Sequence, residues 1–212
     1  MLDLISIIFH LDQYVGAVVN SYGIWVYLII FLIIFLETGL VVTPFLPGDS
    51  LIFILGALAA GGALNIIWLV VILAAAAIIG HTVNYWIGHH FSRKVLKTGK
   101  IRFVKKEHLD NAYEFYEKHG GKTIIIARFI PFVRTFAPFV AGITHMKYRK
   151  FISYNVIGGI AWTTGFVLAG YYLGSIPVVK ENISLVVIAI AISTAVIAFV
   201  AYIGKMVKKK LD

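Results

Sequence analysis

Four ionisable residues sit inside apolar runs, and they pair off by type. Glu37 and Asp49 bracket the stretch ETGLVVTPFLPGD, and Arg128 and Arg134 fall in RFIPFVRTFAP. A charge at membrane depth costs roughly 2.5–3.5 kcal/mol on insertion scales, so such residues usually face a cavity with a task. Arginine suits phosphate: it is permanently charged, planar and able to bind two oxygens at once. The carboxylates suit proton carriage, because a low-dielectric surrounding favours the protonated form of an acid. An anion moving toward a negative interior works against about 2.3 kcal/mol per charge per 100 mV, and a co-transported proton cancels one charge. Two blander roles stand beside these. The arginines can pair structurally with the acids or snorkel to the interface, and Pro47-Gly48-Asp49 is also a surface-turn signature.

Arg128 and Arg134 are six residues apart and would face different sides of an unbroken helix. Pro131 between them prevents one, and free backbone donors at a half-helix start add to anion binding. Pro44, Pro47, Gly48, Pro131, Pro138 and Gly142 are therefore the expected shapers of two broken segments. Irregular backbone of this kind survives in a bilayer only when buried in protein or lining a polar cavity. His81, inside an apolar run, is a candidate proton-relay residue. His81, Asn84, His89 and His90 hint at a metal site, but His81 and His89 are eight apart with no carboxylate near, so neither metal nor cofactor is expected. Asn155 and Trp162, seven apart, share a helix face and are expected to support the second broken segment.

The elements that must position these residues follow from hydropathy. With 212 residues, 60% of them hydrophobic, and a mean hydropathy of +0.90, the chain is expected to be a single all-α integral membrane domain, residues 1–212. Residues 1–20 pattern as an interfacial amphipathic helix, and 22–43 as a first transmembrane helix just long enough to span. Residues 44–62, too short and too broken for a span, are expected to form a re-entrant hairpin. A second span covers 65–88, with Ala74–Ala77 and Gly80 offering a small-residue face. Residues 91–120 hold a basic loop and a short surface helix, and 124–145 a second re-entrant hairpin. Spans follow at 151–174 and 183–204, then a basic tail at 205–212. The two hairpin-plus-helix units would enter from opposite sides, the inverted-repeat logic of secondary transporters.

Charge sets the orientation. Arg93 is the first basic residue, so all the positive charge behind the formal net charge of +9 lies from residue 93 onward. Residues 91–106 alone carry seven Lys or Arg and no acid. Basic clusters beside apolar spans mark cytoplasmic loops, not a nucleic-acid surface, and both termini are expected in the cytoplasm. The absence of cysteine excludes disulfides, thiol catalysis and thiolate metal sites. No cleaved signal peptide is expected. Gly170 and Gly174 form a small-xxx-small pair, the pattern through which a homo-oligomer could pack.

FLPGDSLIFILGAL, NYWIG, FYEKHGGKTIIIARFIPFVRTFAPFVAG, HMKYRKF and YNVIGGIAW closely resemble the bacterial DedA family, part of the wider VTT (SNARE-associated) superfamily, from about residue 25 to 178. The resemblance implies transport without chemical conversion: return of undecaprenyl phosphate to the cytoplasmic leaflet of the cell membrane, dependent on the proton motive force. It places the family's functional acids on Glu37 and Asp49 and its arginines on Arg128 and Arg134. Many members carry Gly-Asp and Gly-Arg pairs around the second helix, where this chain has Gly80-His81 and Gly88-His89. A carboxylate is thereby replaced by an imidazole, and a fixed cation by a titratable one.

The leading expectation is a proton-coupled translocase of a lipid phosphate that is not an enzyme. A phospholipid flippase or scramblase, and a small-anion importer, would use the same arginines. A lipid phosphatase would need a nucleophile and base, and Ser50 beside Asp49 has no histidine or lysine near it in sequence. A non-transporting scaffold would leave the intramembrane charges unexplained.

Overall fold

The computed structural model describes residues 11–40, 48–98, 121–130 and 133–181, together with 186 and 189. Every regular element among them is helical. In chain order they are α1 Leu11–Tyr22, a 3-10 turn Gly23–Trp25, α2 Val26–Gly39, α3 Gly48–Ala60, α4 Ile66–Thr98, α5 Lys122–Ala127, α6 Val133–Ile143, α7 Tyr148–Gly174 and α8 Pro177–Glu181. Ile66–Phe91 within α4 and the whole of α7 are long and apolar enough to cross a membrane. At about 1.5 Å per residue, 26 residues rise about 39 Å against a hydrocarbon core of about 30 Å.

The helices expose apolar side chains as freely as they bury them. Along α2 and just past its end, Leu28, Leu32, Leu36 and Leu40 form an exposed apolar stripe, while the other face of α2 buries Ile30, Ile34 and Glu37. Ile67, Trp68, Val71 and Ile79 do the same on α4, and Ile157, Ile160, Tyr172 and Leu173 on α7. Contiguous apolar surface of this extent needs lipid as its solvent. The chain is an all-α polytopic membrane protein.

It divides into two compact units. The first comprises Met1–Phe31, Leu46–Leu73 and Thr163–Asp212, and the second Leu32–Phe45 and Ala74–Trp162. In the first, α3 lies directly on the C-terminal part of α7. A Cβ on Gly56 would collide with the Val167 carbonyl, one on Gly170 with the Phe53 carbonyl, and one on Gly174 with Ala57. The small-residue pair Gly170/Gly174 is thus used within the chain, to seat α3, and offers no argument for an oligomer. Asn65 caps α4: its Oδ1 accepts from the backbone N–H of Ile67 (3.0 Å) and Trp68 (3.2 Å), while its own N–H donates to the Tyr27 hydroxyl (2.9 Å).

In the second unit α4 is the spine. Gly80 lets α2 approach at Thr38 and Phe35, and Gly88 and Gly142 bring α4 and α6 into backbone contact at Phe139 and Tyr85. Tyr85, Ile124, Ala127, Ala137, Ala141 and Phe151 form the core of this unit, with the Tyr85 and Phe151 rings stacked at 4.5 Å and the Tyr85 hydroxyl donating to the Met146 carbonyl (2.5 Å).

Several expected boundaries shift. The first span begins with a break at Gly23 (φ +50°), leaving α2 only 14 residues long. The second does not end at Gly88 but continues to Thr98, because no proline or glycine interrupts His89–Thr98 and the segment is rich in helix formers. Pro138 and Gly142 do not break the second hairpin; both lie inside α6. The missing Pro138 N–H takes the helical partner of the Arg134 carbonyl, and Gly142 serves close packing against α4. Residues 1–10, Pro44, Pro47, Pro131, most of the basic loop, nearly all of 183–204 and the tail 205–212 lie outside the described residues.

Candidate functional site

The second unit gathers a polar cluster inside its apolar core. Its members are Glu37 and Thr38 from α2, His81 and Asn84 from α4, Arg128 after α5, Arg134 and Thr135 from α6, and Asn155 and Trp162 from α7, all buried. Burying this many polar groups in an apolar chain is costly unless they bond one another.

The arginines reach the cluster through the helix break the sequence predicts. Arg128 caps the C-terminus of the short α5, and Arg134 enters the first turn of α6, its N–H bonded to the Ile130 carbonyl (3.1 Å). α5 and α6 pack on one another, so residues that a continuous helix would point apart both turn inward. Arg134 Nη2 forms an ion pair with Glu37 Oε1 at 2.5 Å, with the carboxylate side chain 1% exposed and the arginine 9%. The same guanidinium lies 5.4 Å from the Trp162 ring centroid, a cation–π geometry.

Arg128 has different partners. Its Nη2 donates to Asn155 Oδ1, with longer contacts to the Ala77 and Asn155 carbonyls (3.4 Å each). The Asn155 amide nitrogen donates to the Ile78 carbonyl (3.0 Å) and to Thr82 Oγ1 (3.3 Å), tying α7 to α4. Gly158 and Gly159 make room for the arginine: a Cβ on Gly158 would stand 3.2 Å from Arg128 Cδ and 3.4 Å from Nε. Asn84 donates to the Thr38 carbonyl (3.3 Å) and the Thr135 carbonyl (2.7 Å), joining α2 and α6 across α4. His81, 1% exposed, lies near both arginines and Asn155.

Of the expected site residues, Glu37, His81, Arg128, Arg134, Asn155 and Trp162 thus come together. Asp49 belongs to the first unit, in the first turn of α3, where its charge faces the positive end of the helix. Thr38, Thr82, Thr135, Gly158 and Gly159 are members that sequence reasoning missed. A Gly-Gly pair three residues after Asn155 was visible, but nothing local says that it accommodates an arginine.

A buried ion pair, a second guanidinium held by an asparagine, and two spanning helices define a multi-pass membrane protein with a charged intramembrane site. Residues 46–172 match the VTT domain, and the chain belongs to the DedA family of VTT-domain membrane proteins. Protein DedA of Escherichia coli (strain K12) is 52% identical over 191 residues, covering 89% of this chain and 87% of that protein. An uncharacterized membrane protein of Mycobacterium tuberculosis (strain ATCC 25618 / H37Rv) is 41% identical over 174 residues, 81% of this chain and 76% of the other. Inner membrane protein YghB of Escherichia coli (strain K12) is 34% identical over 194 residues, 87% and 86%. No solved structure matches the chain.

Proposed function

We propose that this protein is an inner-membrane translocase of a lipid phosphate, coupled to protons, which returns undecaprenyl phosphate to the cytoplasmic leaflet without altering it chemically. The observation that carries this reading is the buried cluster itself: two guanidiniums against one carboxylate, a net positive charge in an apolar interior that one bound phosphate oxyanion would neutralise. Arg134 is the shared partner. Protonating Glu37 removes its competing charge and frees the guanidinium for a phosphate oxygen. By linkage, phosphate on Arg134 favours the protonated carboxyl to the same extent. Arg128, anchored through Asn155, supplies the second set of donors. Asp49 and His81 are the further proton-carrying groups in this scheme, each within its own unit, and the segments 44–62 and 124–145 act as oppositely oriented re-entrant elements, with both termini cytoplasmic.

The test uses proteoliposomes. Labelled undecaprenyl phosphate and, separately, a labelled phospholipid are followed for leaflet exchange with and without a proton gradient, with Arg128→Ala/Arg134→Ala as control. Gradient-stimulated movement of the monophosphate alone, absent in the control, is the expected result. Gradient-independent movement of both lipids would make the protein a scramblase, and release of inorganic phosphate would make it an enzyme. Because the chain has no cysteine, single-cysteine labelling from either side tests the re-entrant topology without background.

A further inference from the structure

We propose that His81 is a specificity-determining residue, selecting a phosphomonoester in its singly charged form by accepting a hydrogen bond from the P–OH group that a diester lacks. This rests on the lipid-phosphate function above and concerns which phosphate the site admits.

His81 is one of the most deeply buried polar side chains; neither ring nitrogen meets hydrogen-bond geometry with a described residue, and the Asn155 side chain is the polar group that interacts with the ring. Arg128 Nε, beside it, also lacks a hydrogen-bond partner among the described residues. A buried polar group left without a partner costs about 1–3 kcal/mol, so groups of this kind gathered at one place fit a site completed by something bound there. The chemistry of that ligand follows from what each neighbour can offer. Arg128, Arg134 and Asn155 act electrostatically on the ring, within a cluster that also holds Glu37, Thr38 and Asn84. The two guanidiniums only donate, and Asn155 Oδ1, which already accepts from Arg128 Nη2, has room for one imidazole N–H at most, leaving the other ring nitrogen as a bare acceptor. Asn84, one turn further along α4, is held by its amide nitrogen to the backbone of α2 and α6.

A ligand must therefore present anionic oxygens to the arginines. If it also carries an O–H, the bare nitrogen of a neutral imidazole can accept it beside the arginines, in a cluster whose other side-chain acceptors include Glu37 and Asn84. A phosphomonoester monoanion has both features. A phosphodiester has the charge but no O–H, and would leave the imidazole nitrogen unsatisfied. A phosphomonoester dianion likewise carries no O–H and would leave the same nitrogen unsatisfied. The monoanion thus carries its own proton into the site, as P–OH hydrogen-bonded to His81. A site that hydrogen-bonds a substrate O–H discriminates strongly against the analogue lacking it, because its own polar group is then stranded.

The experiment is calorimetric titration of the purified protein in detergent at pH 6, near the second ionisation of a phosphomonoester. The titrants are farnesyl phosphate, its O-methyl diester and inorganic phosphate. Wild type is expected to bind the monoester at least about tenfold tighter than the diester, the value of one hydrogen bond to a charged group. His81→Leu should bring that ratio near one, while His81→Gln, which keeps a donor and an acceptor, should retain a preference. His81→Phe carries the same test if His81→Leu does not fold. Equal binding of the two esters by wild type, or a full preference in His81→Leu, would overturn the inference but leave a lipid-phosphate site standing. Binding of neither ester, or of inorganic phosphate as tightly as the monoester, would overturn the lipid-phosphate function itself.

Discussion

Replacing Arg134 with leucine removes the ion-pair partner of Glu37. Its carboxylate is 1% exposed and its described charged partner is the guanidinium 2.5 Å away, on a helix 97 residues distant in sequence. Breaking a buried pair from one side costs about 3–5 kcal/mol, since the remaining charge is left in a low-dielectric site. The lost cation–π contact with Trp162 adds about 0.5–2 kcal/mol. For a chain of this size each kcal/mol corresponds to about 2–4 °C in Tm, so the ion-pair loss alone predicts a fall of about 6–20 °C for Arg134→Leu in detergent, followed by fluorescence-detected thermal unfolding. The double variant Glu37→Gln/Arg134→Leu removes both charges and should recover most of the loss. The shortfall that remains should match the Trp162 contact, which the double variant still lacks. Two results would refute this account: Arg134→Leu melting within about 2 °C of wild type, or a double variant no more stable than the single one. Either would mean that the pair contributes nothing net and that Glu37 finds compensation elsewhere.

Three further outcomes follow from the same geometry. Asn155→Leu removes the acceptor of Arg128 Nη2 and the donor to Ile78 and Thr82; transport in proteoliposomes should fall at least about tenfold, the equivalent of 1.4 kcal/mol, and unchanged transport would show that Arg128 needs no anchor. Gly158→Ala puts a methyl 3.2 Å from Arg128 Cδ and should lower transport more than Tm, whereas Gly165→Ala, with nothing within 4 Å, should leave transport unchanged and stabilise α7 by up to about 1 kcal/mol; equal behaviour of the two variants would dismiss the packing of Arg128 against α7. Gly142→Ala drives a Cβ into the Tyr85 carbonyl and should destabilise by about 1–3 kcal/mol, read as a lower Tm; a wild-type Tm would mean that α4 and α6 can separate freely.

Composition and hydropathy were enough to establish an all-α membrane protein, because a lipid-facing helix must be apolar over its whole length and leaves that length in the sequence. The two long helices therefore appear close to where the apolar runs place them, at 66–91 and 148–174. Residue chemistry likewise singled out Glu37, Arg128, Arg134 and His81, since an ionisable group in an apolar run has few reasons to be there. Periodicity could not say which acid meets which arginine. The Arg134–Glu37 pair, the Arg128–Asn155 bond and the Asn84 bridge join residues 97, 27, 46 and 51 positions apart, and such pairings depend on how helices cross. That crossing is governed by backbone contact at glycines such as Gly80, Gly88 and Gly142; the sequence marked Gly80 as part of a packing face, but Gly142 read there as a break, and neither named the helix it meets. Pro138 shows the same limit: a local rule marks it as a helix breaker, yet α6 packed against α4 and α5 keeps its helix through it. The sequence alone determined the solvent, the helices and the charged residues; tertiary packing alone decided their partners, because a buried charge is tolerated only where the fold brings it a counterpart.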